Sequence, residues 1–320
     1  MLRNVEGMEF RRLGNSGLVV SVVGLGTNNF GIKLDLAGSR EVVHAALDEG
    51  ITLFDTSDSY GASEERLGEI LEGRRDDVVL ATKFGSDVRR RGLTNGADWG
   101  ARGSRRYVRR AVESSLRRLR TDWIDLYQLH FPDPQTPIEE TLSALDDLVR
   151  EGKVRYIGNS NFTGWQVADA EWTSRTRNLE RFISAQNHYN WLNREIEHDL
   201  VPALETYGIG LLPYFPLANG LLTGKYRRGE LPAEGTRIRD WGRESLLTDE
   251  TFDVLEALED FAKQRGITLL DVAIGGLAAQ PAVASVIAGA TSRTQVERNV
   301  AAGNWRPSGE DLEELRRLTG

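Results

Sequence analysis

Leu53-Phe54-Asp55-Thr56-Ser57-Asp58-Ser59-Tyr60-Gly61 begins apolar, as a buried strand does, and turns polar at Asp55. A helical pattern follows at Ser63–Leu71. A carboxylate at a strand end, with a tyrosine on the loop after it, stands well at the mouth of a barrel, where strand ends converge.

The same strand-then-helix pattern continues in both directions. Downstream come a strand at Val78–Lys83, a long Gly-rich basic loop at Phe84–Ser104 and a helix at Arg105–Leu119. A strand at Ile124–His130 ends in turns at Pro132 and Pro134, and a helix at Ile138–Glu151 stops at Gly152. Val154–Ser160 is the next strand, and Trp165–Trp172 lies in a helix. A strand at Ile183–Gln186 is followed by a helix at Glu195–Tyr207 closed by Gly208, then by a strand at Gly210–Tyr214. After a long loop, Phe215–Leu247, the pattern gives two helices, Asp249–Arg265 and Leu269–Ala279. A strand at Val283–Ala288, a helix at Arg293–Ala302 and a terminal helix at Gly309–Leu318 complete the chain. Upstream, Gly14-Asn15-Ser16-Gly17 turns a hairpin, Val22–Leu25 is a buried strand, and Ser39–Glu49 is a helix with Ser39 as its N-cap.

The strands are short and apolar throughout rather than alternating, as expected when both faces are covered. Strands alternating with helices predict a parallel sheet. Eight such units without a linker predict an α/β chain folded as a (β/α)8 TIM barrel, with an N-terminal β-hairpin and a C-terminal extra helix, one domain over residues 1–320. A doubly wound sheet is the rival. It would want Gly-x-Gly-x-x-Gly opening a helix after the first strand; Gly24-Leu25-Gly26-Thr27-Asn28-Asn29 lacks the third glycine and no helix starts there.

Composition narrows the function classes. Net charge is −8, which argues against general affinity for nucleic acid or anionic membranes and requires that any anionic ligand meet locally gathered cations. With no cysteine, disulfides, thiol catalysis and thiolate metal sites are excluded. Met1–Glu9 is charged and lacks an apolar signal core, and Leu269–Ala290 is interrupted by Asp271, Gln280 and Pro281, so no span is expected and a cytoplasmic location is. Four histidines and no ligand-spaced cluster leave no expected metal site.

Asp55, Tyr60, Lys83 and His130 stand at or just past the ends of successive strands. Singly, each has an ordinary reading: a turn former, an interface aromatic, a solvated terminus, a histidine beside a proline. Together, at one end of a barrel, they form a candidate site. Around them, Gly24-Leu-Gly26-Thr27, Phe54-Asp55-Thr56-Ser57 with Tyr60-Gly61, Thr82-Lys83 and Asp122-Trp-Ile-Asp-Leu-Tyr-Gln-Leu-His130 resemble the aldo-keto reductase superfamily, which includes the potassium-channel β subunits. Gly152-Lys-Val-Arg-Tyr-Ile-Gly158, Ser160-Asn161, Gln186, Gly220-Leu-Leu-Thr-Gly-Lys-Tyr226 and Ile287-Ala-Gly-Ala290 with Gln295 and Asn299 continue the resemblance from about Phe10 to Ala302.

The resemblance implies reduction of an aldehyde or ketone with NADP(H). Tyr60 would donate the proton, Lys83 would stabilise the phenolate, Asp55 would hold Lys83, and His130 would orient and polarise the carbonyl. A free phenol, with a pKa of about 10, needs such help near neutrality. Ser160, Asn161 and Gln186 would bind the nicotinamide carboxamide, with Tyr214 stacked under the ring. Gly26, Thr27 and Asp55 would approach from the other side. Phe215, Leu217, Gly220, Thr223, Lys225 and Arg237 would wrap the pyrophosphate, and Gly289, Thr291, Arg293, Gln295, Arg298 and Asn299 would receive the adenosine end at a helix N-terminus. Phe215 replaces a serine found in many relatives, and Ala288 a proline. Phe30, Tyr60, Trp99, His130, Phe131 and Trp191 are the expected substrate walls; the run Arg89-Arg90-Arg91 is read as a solvated loop. A small carbonyl compound is the expected partner, and an oligomer is left open. The alternative is a cofactor-binding regulator of the channel β-subunit type. His130, where those subunits differ, and the lack of an extension before the barrel favour the enzyme.

Overall fold

The computed structural model describes residues 7–86 and 100–320. A hairpin of β1 (Phe10–Arg12) and β2 (Val19–Ser21) precedes an eight-stranded parallel sheet. Its strands are β3 (Val23–Gly26), β4 (Leu53–Asp55), β5 (Val79–Phe84), β6 (Ile124–Leu129), β7 (Val154–Ser160), β8 (Phe182–Gln186), β9 (Gly210–Leu211) and β10 (Val286–Gly289). From β3 to β9 each pairs with the next in sequence, and β10 pairs with β3. The sheet curls until its ends meet. Leu211 N–H donates to Ala282 O at 2.7 Å, Ala284 N–H to Leu211 O at 2.9 Å, and Ile287 N–H to Pro213 O at 3.1 Å. The fold is a (β/α)8 barrel.

Helices α1 (Leu36–Asp48), α2 (Ser63–Ile70), α3 (Arg105–Leu119), α4 (Ile138–Arg150), α5 (Gly164–Arg177) and α6 (Leu200–Tyr207) lie between successive strands. The stretch between β9 and β10 carries α7 (Arg237–Asp240), α8 (Asp249–Gln264) and α9 (Leu269–Asp271); α10 (Arg293–Ala302) and α11 (Gly309–Leu318) end the chain. Among the described residues no helix is long and apolar enough to cross a membrane.

The period of two along each strand sorts side chains between two layers. Phe54, Leu80, Tyr127 and Ile157 face outward, in one cluster with Val43, Leu67, Val108, Val112, Leu142 and Leu145 of the helices. Leu53, Ala81, Leu126, Leu212 and Ile287 face inward and meet Leu13 and Val20 of the hairpin. The hairpin therefore plugs the barrel at the end where the strands begin. Gly14 makes this fit: at φ 57°, a Cβ there would lie 2.5 Å from Gly208 O and 2.7 Å from Gly210 N. The end where the strands finish is left for the site.

Several boundaries differ from expectation. Helix α1 starts at Leu36, and Asp35 rather than Ser39 caps it, accepting from Gly38 N–H at 2.8 Å. Gly38 reads as a helix breaker, but the cap and the buried face behind it outweigh its penalty of about 1 kcal/mol. The single helix expected at Glu195–Tyr207 is a 3-10 turn, Glu195–Glu197, followed by α6, whose first turn holds Pro202 where a missing N–H costs nothing. The helix expected at Leu269–Ala279 widens into a π-helix at Val272–Gly276, where a Cβ on Gly275 would lie 2.7 Å from Ala302 O. The long loop Phe215–Leu247 contains α7 and 3-10 turns at Ala218–Thr223 and Glu244–Leu246.

Candidate active site

Two residues beyond inward-facing Leu53, Ala81 and Leu126 come Asp55, Lys83 and Gln128, so period two raises all three into one layer at the mouth. Pairing sets them side by side: Asp55 is opposite Ala81, and Lys83 opposite Gln128. Lys83 is fully buried, and its Nζ donates to Asp55 Oδ1 and Oδ2 at 2.7 Å each and to Thr56 O at 2.8 Å. Asp55 Oδ1 also accepts from Gln186 Nε2 at 2.9 Å and Gln128 Nε2 at 3.4 Å. Burial works against the Lys83 ammonium, but Asp55 and then Tyr60 more than offset it and hold the group above its ordinary range.

Half-buried Tyr60 covers this pair, with Lys83 Nζ 5.0 Å from its ring centroid. His130 meets Tyr60 edge to face, centroids 5.9 Å apart. On its other side the imidazole Nδ1 lies 3.1 Å from Ser57 Oγ. Exposed Phe131 stacks on the His130 ring at 4.7 Å. The mouth thus gathers a phenol, an ammonium with its counter-charge, and an imidazole, which together can pass a proton to an oxygen and stabilise charge on it.

Beside this group, Asn161 sits in the left-handed region (φ 61°), a conformation asparagine tolerates. Its amide donates to His130 O at 2.9 Å and Ser160 Oγ at 3.1 Å and accepts from Tyr214 Oη at 2.8 Å. Tyr214 is half-buried, and His188 backs one face of its ring at 5.5 Å, nearly parallel. Burial and Arg243 lower the His188 pKa, and burial raises that of Tyr214.

Further along the rim, Phe215 is held at φ 53° and Ala218, Asn219 and Gly220 also have positive φ. Arg237 and Arg243 both lie over the Phe215 ring, at 5.6 and 5.8 Å, and both over Trp241, at 4.6 and 5.0 Å. Neither they nor Lys225 pair with a carboxylate among the described residues; Arg237 donates to Asn29 Oδ1 and Arg243 to Asn219 Oδ1. Partial burial, then Arg237 and Lys33, lowers the Lys225 pKa; burial, then Arg243, lowers that of Arg237. A Cβ on Gly220 would lie 2.8 Å from Lys225 Nζ, so glycine lets the lysine fold back over the loop. Cations that crowd one another without counter-charges suit a di- or polyanion.

Residues 22–319 match the family model described as the Aldo/keto reductase family. The chain belongs to the aldo/keto reductase family. It is 33% identical over 312 residues to L-glyceraldehyde 3-phosphate reductase of Escherichia coli (strain K12), covering 93% of this chain and 88% of that protein. It is 34% identical over 322 residues to aldo-keto reductase YhdN of Bacillus subtilis (strain 168), covering 97% and 93%. It is also 33% identical over 312 residues to a probable voltage-gated potassium channel subunit beta of Oryza sativa subsp. japonica, covering 92% and 91%.

In this aldo/keto reductase the four strand-end residues Asp55, Tyr60, Lys83 and His130 come together as the sequence leads one to expect. Ser160, Asn161, Gln186 and Tyr214 lie beside them, although Gln186 reaches Asp55 and Ser160 Oγ donates to Gln186 O at 2.7 Å. Thr27 is fully buried, its hydroxyl donating to Asp55 O at 2.8 Å, so its side chain braces β3 against β4 rather than facing outward. Thr291 and Gln295 bond each other at the start of α10, and Arg298 is exposed. Arg293 pairs at 3.0 Å with Asp48, while Asn299 is buried. Of the aromatic walls, Phe131 is at the mouth. Phe30 and Trp191 are both buried, and Trp191 donates through Nε1 to Val272 O at 2.8 Å in the cluster under the long loop. Indole burial with its N–H paired is more favourable than exposure at a polar mouth. Trp99 and Arg89-Arg90-Arg91 lie outside the described residues. Among the described residues no group of three or more His, Asp or Glu side chains could hold a metal ion.

Gln128, Ser57, Asp58 and Arg243 also stand in or around the site. Gln128 could have been found from its even spacing to His130. Ser57 and Asp58 sit inside the motif, but nothing in their order shows where they point. Arg243 lies in a loop with no period to place it.

Proposed function

We propose that this chain reduces an aldehyde or ketone to an alcohol with NADP(H), Tyr60 giving the proton to oxygen. The observation that carries the reading is the fully buried Lys83, held by both oxygens of Asp55 and set against the Tyr60 ring at the open end of the barrel. A buried lysine kept charged in this way has one direct chemical use: it stabilises the phenolate that forms as Tyr60 gives up its proton. His130, across the same opening, orients the carbonyl oxygen between the two donors.

A nicotinamide cofactor, when bound, would supply the hydride. The residues present fit the group. Lys225, Arg237 and Arg243 are uncompensated cations suited to a pyrophosphate. Tyr214 is tied by Asn161 and backed by His188, which leaves a braced aromatic face for a nicotinamide ring. Ser160 and Asn161 present polar atoms between that face and His130. At α10 the 2′-phosphate of NADP(H) would meet Arg293 or Arg298, with Arg293 favoured by its place in the first turn. The Arg293–Asp48 pair is exposed at both ends and is readily exchanged for a phosphate.

Steady-state oxidation of NADPH over a carbonyl panel that includes phosphorylated aldehydes tests the reading. Tyr60→Phe should lower kcat by about 10²-fold or more, the scale of a positioned acid. A kcat near wild type, where chemistry limits turnover, removes Tyr60 from the mechanism. The likeness to a probable voltage-gated potassium channel subunit beta of rice supports a second reading, a cofactor-binding regulator. Tight NADPH binding without turnover of any carbonyl would favour it.

A further inference from the structure

We propose that Asp58, acting through Ser57, is a positioning residue that sets which ring nitrogen of His130 carries the proton. This rests on the reading of His130 as the group that faces the substrate oxygen. Asp58, Ser57 and His130 form a continuous buried chain: Ser57 Oγ lies 3.4 Å from Asp58 Oδ1 and 3.1 Å from His130 Nδ1. All three residues are buried, Ser57 completely. Nothing in the carbonyl chemistry described above uses Asp58.

A serine hydroxyl has one proton to give, so its direction couples its two neighbours. With Asp58 protonated, its O–H donates to Ser57 Oγ, and the Ser57 O–H donates to His130 Nδ1. The imidazole proton is then on Nε2, where it can be given in a hydrogen bond to a carbonyl oxygen. With Asp58 ionised, Ser57 turns its O–H to the carboxylate, and its Oγ accepts from His130 Nδ1–H. Nε2 is left with a lone pair, suited to accept from an alcohol O–H. The first arrangement holds three protons on the chain and the second two, the difference leaving to solvent. The backbone N–H of Ser59 donates to Ser57 Oγ at 3.2 Å in either case. Ser59 Oγ, 2.9 Å away, is the other neighbour of that hydroxyl.

The surroundings place this switch within the working range. Burial pushes the Asp58 carboxyl up to about 8, with the charge of Glu64 on α2 acting in the same direction. Arg118 of α3, the Ser57 hydrogen bond and Arg102 in the segment before α3 pull the other way. Tyr127 of β6 also faces Asp58. Glu64 is itself held by Thr82 Oγ1 at 2.6 Å and by Arg118 Nε at 2.7 Å, so the carboxylate beside Asp58 is fixed rather than free to take its place. The mouth would therefore favour carbonyl reduction on the acid side of this transition and alcohol oxidation on the alkaline side.

Nitrogen NMR of histidine-labelled full-length protein, titrated from about pH 6 to pH 10, reads the tautomer directly. The His130 signals are assigned by their loss in His130→Gln. Wild type should pass from the Nε2–H to the Nδ1–H form with a midpoint near that of Asp58. Asp58→Asn and Ser57→Ala should each abolish the change, and Asp58→Asn should raise the ratio of reductive kcat/KM at high and neutral pH by about threefold or more. One tautomer across the range in wild type, or the same transition in Asp58→Asn, overturns the proposal. If His130→Gln retains wild-type kcat/KM, the reading of the mouth fails instead, whatever the spectra show.

Discussion

Lys83 owes its charge to Asp55, and Asp55 owes its burial to Lys83. Removing one partner of such a pair leaves the other desolvated, at a cost of about 3–5 kcal/mol. Lys83→Met should therefore lower the urea midpoint of unfolding substantially; an unchanged midpoint would show that Asp55 is satisfied by Gln128 and Gln186 alone. Asp58 gives a second test. Its proton is held to about pH 8 in the folded chain, but only to about pH 4 in an unfolded one. Between these values the folded state binds the extra proton, so this contribution is full below the lower value and lost as pH rises through the higher. Asp58→Asn should shrink the fall in Tm between pH 5 and pH 9, by an amount on the order of a few kcal/mol in stability. An identical pH slope in both proteins would place the carboxyl in a less burying environment. At this scale the sequence names Asp55, Tyr60, Lys83 and His130, since each stands at or just past the end of a strand. It leaves Ser57 and Asp58 without roles, because a turn has no period to aim its side chains.

Helix α2 approaches α3 through a glycine. A Cβ at Gly68 would lie 2.4 Å from Arg118 O and 2.6 Å from Leu119 C, both backbone atoms that cannot give way alone. Gly68→Ala should separate the two helices and cost about 1–3 kcal/mol, as overpacking does. Because Glu64 and its partner Arg118 span the same two helices, activity should fall as well. Retained stability would show that α2 can shift as a unit. Elements of steady period, such as α3, α10 and α11, have the ends that their sequence predicts. Where tertiary contact overrides a local signal, the boundaries move: Gly38 lies inside α1, and the turn around Gly275 is widened by the close approach of Ala302 and Trp305.

At the scale of the whole molecule, a chain of net charge −8 gathers Lys225, Arg237 and Arg243 on one rim. Lys33 to Asp240 at 2.8 Å and Arg237 to Asn29 at 3.1 Å fasten the long loop to the loop after β3. Arg243→Ala should weaken binding of NADPH and NADH alike, because both carry the pyrophosphate, by about 1.5–3 kcal/mol in a titration followed by fluorescence. Equal affinities in mutant and wild type would remove Arg243 from the anion site. Arg293→Ala should instead raise the dissociation constant for NADPH by about ten- to hundredfold and leave NADH nearly unchanged. If both weaken equally, Arg293 contacts the shared part of the molecule; if wild type prefers NADH, α10 does not read the phosphate.

Strand and helix order, the barrel they build and the four strand-end residues follow from the sequence alone, because hydrophobic period and chain order are local properties. The same locality placed Trp191 and Phe30 at the mouth, and the folded chain buries both. Only the tertiary structure could decide which polar groups share a layer. Asp55, Lys83, Gln128 and Gln186 meet because parallel pairing sets their strands in register around a closed sheet, and that register depends on every strand at once. The turn that brings Ser57 between Asp58 and His130, and the loop that stacks two arginines on Phe215, were decided in the same way: by packing between segments far apart in the chain, which no local pattern records.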